Sequence, residues 1–344
     1  MITYTPSHSY LIQPVQNNQI YSMVSNIPLD QVALVILGGG VTTNEKRSAG
    51  YIKHILPFIQ DSGLINVNVY GVVYSFGSLD SDLLKVNLFR RAGRKVKFNA
   101  DNAEQQEIKL KQINENEPIP EYILDLYDAL IEPRIVHGNV IATSKNMRNL
   151  IFYNHCHGAV ALSLLSEVTR INLKNAGFDD ASVRNILKNI VAIQHNPVGP
   201  LENPLVTTIN FLSASDDVLN YYNAFSENVL GKHDLEPSFF GNEYGNIFVA
   251  GQLKSHTGSE HGFSDGYKPD AEQQLTANGQ IIYSAEKNAI KNAITAAQNN
   301  TPIPSTEQFV SGTMINFAKM KSNGDKLNNA MLVAAHKSKN NLLK

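Results

Sequence analysis

The chain has 344 residues, 42% of them hydrophobic and 17% charged, with a formal net charge of -2. This profile fits a soluble globular protein with a sizeable core, and the near balance of charge gives no general drive toward nucleic acid or anionic lipid. One cysteine excludes an intrachain disulfide framework and fits a reducing compartment, either the cytoplasm or a cytosol into which the protein is delivered.

The N-terminal MITYTPSHSYLIQPVQNN lacks the basic segment and unbroken apolar run of a signal peptide. No run anywhere approaches the roughly 18 to 20 apolar residues of a membrane span, so none is expected. Val32-Ala33-Leu34-Val35-Ile36-Leu37 is continuously apolar and is followed by Gly38-Gly39-Gly40, as in a strand buried on both faces. Asn44 can cap a helix through EKRSAGYIKHILPFIQDSG, where Ile52, Ile55, Leu56 and Ile59 keep helical spacing. Val67 to Tyr74 forms the next strand, and strand, helix, strand in this order predicts a right-handed crossover in a parallel sheet.

Between residues 78 and 147 the pattern is weaker and suits a cap or an insertion. It holds a basic stretch (Arg90, Arg91, Arg94, Lys95, Lys97), read as a solvated face, then the helix-like AEQQEIKLKQIN and EYILDLYDALIEP. Leu150 to Tyr153 then reads as a strand, and Ala159 to Lys174 as a helix closed by Gly177. Ile186 to Ile193, Val206 to Leu212 and Ile247 to Leu253 supply further strands. Alternation of this kind predicts an α/β domain over 1–270, a mostly parallel sheet with helices on both faces. Residues 271–344 are expected to be a helical C-terminal region. There YSAEKNAIKNAITAAQNN is a helix, TPIPST breaks it, and Asp325 to Lys344 is similar to the opening of an ankyrin repeat. Half a repeat cannot bury its own face. The similarity therefore implies that repeats continue beyond this chain and offer a surface to a protein partner; an ordinary amphipathic terminal helix is the plainer alternative.

The only cysteine lies in Asn154-His155-Cys156-His157-Gly158, between a predicted strand and a predicted helix. A nucleophile flanked by single residues and then glycine, at a strand-to-helix junction, is the pattern of a nucleophile elbow. The turn pushes the middle side chain over the carboxyl edge of the sheet and sets the next amide at a helix N-terminus, where it can hold an oxyanion. Metal binding by His155, Cys156 and His157 with His256 and His261 is disfavoured, because adjacent side chains at a tight turn diverge and neither CxxC nor HExxH spacing is present. The triglycine is followed by neither a P-loop nor a GxGxxG pattern, so no nucleotide cofactor is expected. His195 and His233 read as loop residues.

From about Gln31 to Gly266 the order of elements and motifs resembles the α/β-hydrolase superfamily, including its cysteine-nucleophile members. The resemblance implies a triad in the order nucleophile, acid, histidine. Cys156 would be the nucleophile, Asp216 in SASDDVL the acid with Asp217 as alternative, and His261 in HTGSEHGF the histidine with His256 as alternative. It also implies an oxyanion hole from the amides of His157, Gly39 and Gly40. Two positions depart from the family pattern: Asn154 stands where glycine is commonest, and cysteine replaces the commoner serine. The expected function is cysteine-dependent hydrolysis of an ester, thioester or amide bond of an acyl or peptide substrate through an acyl-enzyme, without metal or cofactor. The alternative is a non-catalytic hydrolase-like module fused to ankyrin-type repeats, resembling bacterial effectors that act in a host cytosol.

Overall fold

The computed structural model describes residues 8–15, 21–39, 44–74, 119–197, 205–213, 246–250 and 282–301. An N-terminal hairpin of β1 (Tyr10–Pro14) and β2 (Tyr21–Val24) precedes β3 (Val32–Leu37), helix α1 (Glu45–Asp61) and β4 (Val67–Val73). Next come α2 (Glu121–Leu126), which runs on as a π-helical turn at Tyr127–Ile131, and α3 (Val140–Arg148). Then follow β5 (Leu150–Cys156), α4 (Gly158–Asn175), α5 (Asp180–Leu187), β6 (Val191–Pro197), β7 (Thr207–Ser213), β8 (Asn246–Ala250) and α6 (Ile282–Gln298).

The strands form one sheet in the order β2-β1-β4-β3-β5-β6-β7-β8. β1 is antiparallel to both its neighbours, and every pair from β4 to β8 is parallel. The expected α/β architecture, a mostly parallel sheet with helices on both faces, is what the structure shows. All six residues of β3 are buried, because it lies between two parallel neighbours with helices above and below. On one face, Val35, Leu37, Val72 and Phe152 pack with Tyr122, Leu126 and Leu130 of the α2 segment, Val160 and Leu164 of α4, and Val183 and Ile186 of α5. On the other, Leu34, Ile36, Ile151 and Ile193 pack with Ile52 and Ile55 of α1 and Ile290 and Ile294 of α6. Full burial of each such side chain contributes roughly 2 kcal/mol.

Local signals account for several boundaries. Asn44 caps α1, its side chain accepting from the Arg47 amide, as its position in the sequence predicts. Asp179 caps α5 in the same way through Ser182. That cap corrects the sequence expectation of a strand from Ile186: Ile186 and Leu187 complete the buried stripe of α5, and β6 starts only at Val191. The edge hairpin was not anticipated, its strands being four and five residues long. In the stretch 78–147, where a cap or insertion is expected, the described residues begin at 119, and Tyr122, Ile123, Leu130 and Ile131 are buried against the sheet. Helix α6, within the helical C-terminal region expected over 271–344, packs on the sheet through Ala289, Ile290, Ala293 and Ile294. The basic stretch near Arg90, the segment AEQQEIKLKQIN and the ankyrin-like tail lie outside the described residues. No helix among the described residues is long and apolar enough to cross a membrane.

Candidate active site

Strand β5 ends in a sharp turn. Cys156 has φ of 53°, a left-handed conformation unusual for a residue with a side chain, and the register with β6 shifts between His155 and Cys156. A non-glycine residue held there costs roughly 1 to 2 kcal/mol, so the surrounding structure must enforce it. Gly158 shows how: a Cβ on it would lie 2.1 Å from the Leu37 carbonyl oxygen. Helix α4 therefore starts directly against the end of β3, and only glycine fits that contact. His157 is the N-cap and makes no side-chain capping bond, which leaves the first-turn amides without that usual acceptor.

Asn154, the departure from the glycine usual at the first elbow position, sits within β5 without a left-handed φ. Its side chain is fully buried on the α4 face, beside Gln194 in the register, and its Oδ1 and Nδ2 have no hydrogen-bond partner among the described residues. The elbow closes with asparagine in place, at the cost of two unpaired polar atoms.

The histidines flanking Cys156 go to opposite faces: two residues apart they would share a face in a continuing strand, but β5 ends at Cys156, whose left-handed backbone turns the chain before His157. His155 is buried toward α1, where its Nδ1 lies 2.7 Å from the Tyr51 hydroxyl. The same hydroxyl accepts the Gly39 N–H at 3.0 Å. His157 lies on the other side, its ring stacked on Tyr74 with centroids 5.8 Å apart. The Tyr74 hydroxyl lies 3.4 Å from His157 Nδ1 and donates to the Gly38 carbonyl. Two tyrosines thus hold the glycine turn from two sides, each bonded to a histidine next to the cysteine. A Cβ on Gly39 would sit 3.1 Å from the Cys156 Cβ, 3.2 Å from His155 Nδ1 and 3.2 Å from the Tyr51 oxygen, so three chemically distinct groups converge on a gap one methyl wide.

The polar chain extends across the sheet. His195 pairs with His155 in the β5–β6 register, ring centroids 5.8 Å apart, and its Nδ1 lies 2.7 Å from Glu286 Oε1. Tyr153 donates to the other oxygen of Glu286 at 3.2 Å. The Glu286 carboxylate is wholly buried. Burial pushes the Tyr51 hydroxyl above the ordinary tyrosine range, the Gly39 N–H opposes this in part, and the charge of Cys156 adds to the rise. Burial, reinforced by the Glu286 charge and hydrogen bond, does the same to Tyr153. Both phenols therefore stay protonated and able to donate.

Of the residues singled out from sequence, Cys156, His157 and Gly39 come together at the end of β5 and β3. The Gly39 N–H, expected in an oxyanion hole, points instead to Tyr51, because the hydroxyl of α1 reaches it first. His195, expected in a loop, is a buried strand residue paired with a carboxylate. Gly40, Asp216, Asp217, His256 and His261 lie outside the described residues; β7 ends shortly before Asp216 and β8 shortly before His256 in the chain. No group of His, Cys, Asp and Glu among the described residues is arranged to hold a metal ion. Tyr51, Tyr74, Tyr153 and Glu286 were not foreseen. Glu286 alone carried a visible signal, a lone acid three and four residues before Ala289 and Ile290 on the apolar stripe of its helix. No protein-family model matches the chain, and no curated protein matches it either.

Proposed function

We propose that the protein is a cysteine-dependent hydrolase of α/β-hydrolase type that cleaves an ester, thioester or amide through an acyl-enzyme at Cys156. The observation that carries this is the left-handed Cys156 backbone at a strand-to-helix turn that Gly158 alone allows to close, the local geometry of a nucleophile elbow. Strain of this kind, kept at a half-buried thiol over the carboxyl edge of a parallel sheet, is expected where a side chain must be presented to a substrate. The amide of His157 and the uncapped first turn of α4 supply donors and a favourable dipole for an oxyanion. His261, or His256, would take the thiol proton, and Asp216, or Asp217, would orient that imidazole. Gly40 would replace Gly39 as the second oxyanion donor, since the Gly39 amide is engaged by Tyr51.

A thiol-directed activity probe tests this. Wild-type protein should be labelled at Cys156 and Cys156→Ala should not. Labelling that persists unchanged in the alanine variant, or none under any condition, would overturn the proposal.

A further inference from the structure

We propose that Tyr51 is a positioning residue for acyl transfer, fixing the Gly38–Gly39 turn at its working distance from Cys156; this rests on the hydrolase function proposed above. The Tyr51 oxygen takes the Gly39 N–H on one side and meets His155 Nδ1 on the other. It thereby ties the loop after β3 to the residue that immediately precedes the nucleophile. Its ring is buried on α1 and tilted against His155 with centroids 5.6 Å apart, so the hydroxyl has little freedom to leave. Behind His155 stands His195, anchored by the Glu286 carboxylate, which also holds Tyr153. The far end of this set of contacts is Glu286 on α6.

The device acts on geometry. Gly40, next to Gly39, is the second oxyanion donor of the proposed function, and a turn displaced by about 1 Å can cost on the order of a hundredfold in rate. Tyr51 should therefore matter for a reaction that develops an oxyanion and not for one that only needs the sulfur. Two reagents separate these. In acetylation by p-nitrophenyl acetate, the Cys156 sulfur, its proton passed to the base, forms a C–S bond with the carbonyl carbon while the C=O electron pair moves to oxygen. Collapse of the adduct then breaks the ester C–O bond, and p-nitrophenolate leaves with that pair. Alkylation by iodoacetamide forms a C–S bond as iodide leaves, with no oxyanion.

The experiment compares both rates in wild type, Tyr51→Phe, His155→Phe and the double variant. Tyr51→Phe removes one oxygen and should slow acetylation by at least about tenfold while leaving alkylation within about twofold. The pH profile of alkylation should be unmoved. His155→Phe should slow acetylation in the same direction but less, and adding it to Tyr51→Phe should have little further effect, because the two act as one unit. Acetylation unchanged in Tyr51→Phe, or both reactions falling together, would overturn the inference. A wild type that forms no acetyl-enzyme sinks the hydrolase function and the inference with it, whereas a wild type and Tyr51→Phe that acetylate equally sink the inference alone.

Discussion

The two faces of strand β5 treat polar residues in opposite ways. Toward α1 and α6, His155 bonds to Tyr51, which takes the Gly39 amide, while Tyr153 and the neighbouring strand's His195 both reach the Glu286 carboxylate; the His155 and His195 rings meet between the two sets. Toward α4, Asn154 and its neighbour Gln194 are just as deeply buried, yet among the described residues both side-chain polar atoms of Asn154 and the Oε1 of Gln194 find no partner. A buried polar atom without a partner costs about 1 to 3 kcal/mol, whereas a satisfied network specifies one arrangement. The α1–α6 face thus carries satisfied hydrogen bonds up to the Gly39 amide, and the α4 face carries the close packing of Gly158 on Leu37.

Substitutions that strike one face at a time sharpen that contrast. The largest effect is expected on the α4 face from Gly158→Ala, whose methyl would press on the Leu37 backbone oxygen. Because backbone cannot yield as a side chain can, a loss of about 3 kcal/mol is expected by urea unfolding, with Cys156 losing its probe reactivity as the turn opens. Next, Glu286→Ala leaves His195 and Tyr153 facing an empty site and should cost about 2 kcal/mol; Glu286→Gln, which keeps an acceptor for Tyr153, should cost less. Asn154→Leu is expected to have the opposite sign. Removing two unpaired atoms at similar volume should be neutral or stabilising by up to about 1 kcal/mol, and a loss as large as that of Glu286→Ala would erase the distinction between the faces.

The smallest effect concerns pH. His54, partly buried on α1, has its pKa lowered by burial, so the unfolded chain binds its proton more readily than the folded one. Stability from this group is then complete above the ordinary histidine value of about 6.5 and is lost as pH falls from there toward the depressed folded value. His54→Gln should flatten the unfolding free energy across that acidic window and leave it unchanged above; an unaltered slope would rule out this contribution.

How much of this could be read from sequence depends on how local the signal is. Val32–Leu37, the Asn44 cap and the NHCHG turn are contiguous signals, and each lands where expected. The run from Ile186 to Ile193 misleads because two buried helical residues and the start of a strand are equally apolar, and only the Asp179 cap separates them. The edge strands β1 and β2 take their definition from pairing with β4 and with each other rather than from composition. The Tyr51–His155 and Glu286–His195 contacts span 104 and 91 residues of chain, and no spacing rule points to either. The histidines of NHCHG, whose spacing disfavours metal binding, each meet a tyrosine that bonds to the glycine turn.

Intact-mass analysis after brief exposure to p-nitrophenyl acetate, with Cys156→Ala alongside, decides whether Cys156 is the nucleophile proposed above. Wild type should gain one acetyl group, mapped to Cys156 and lost again as water turns the enzyme over, while Cys156→Ala gains none. Acetylation of the alanine variant to the same extent, or a wild type left unmodified, would rule out Cys156 as the nucleophile.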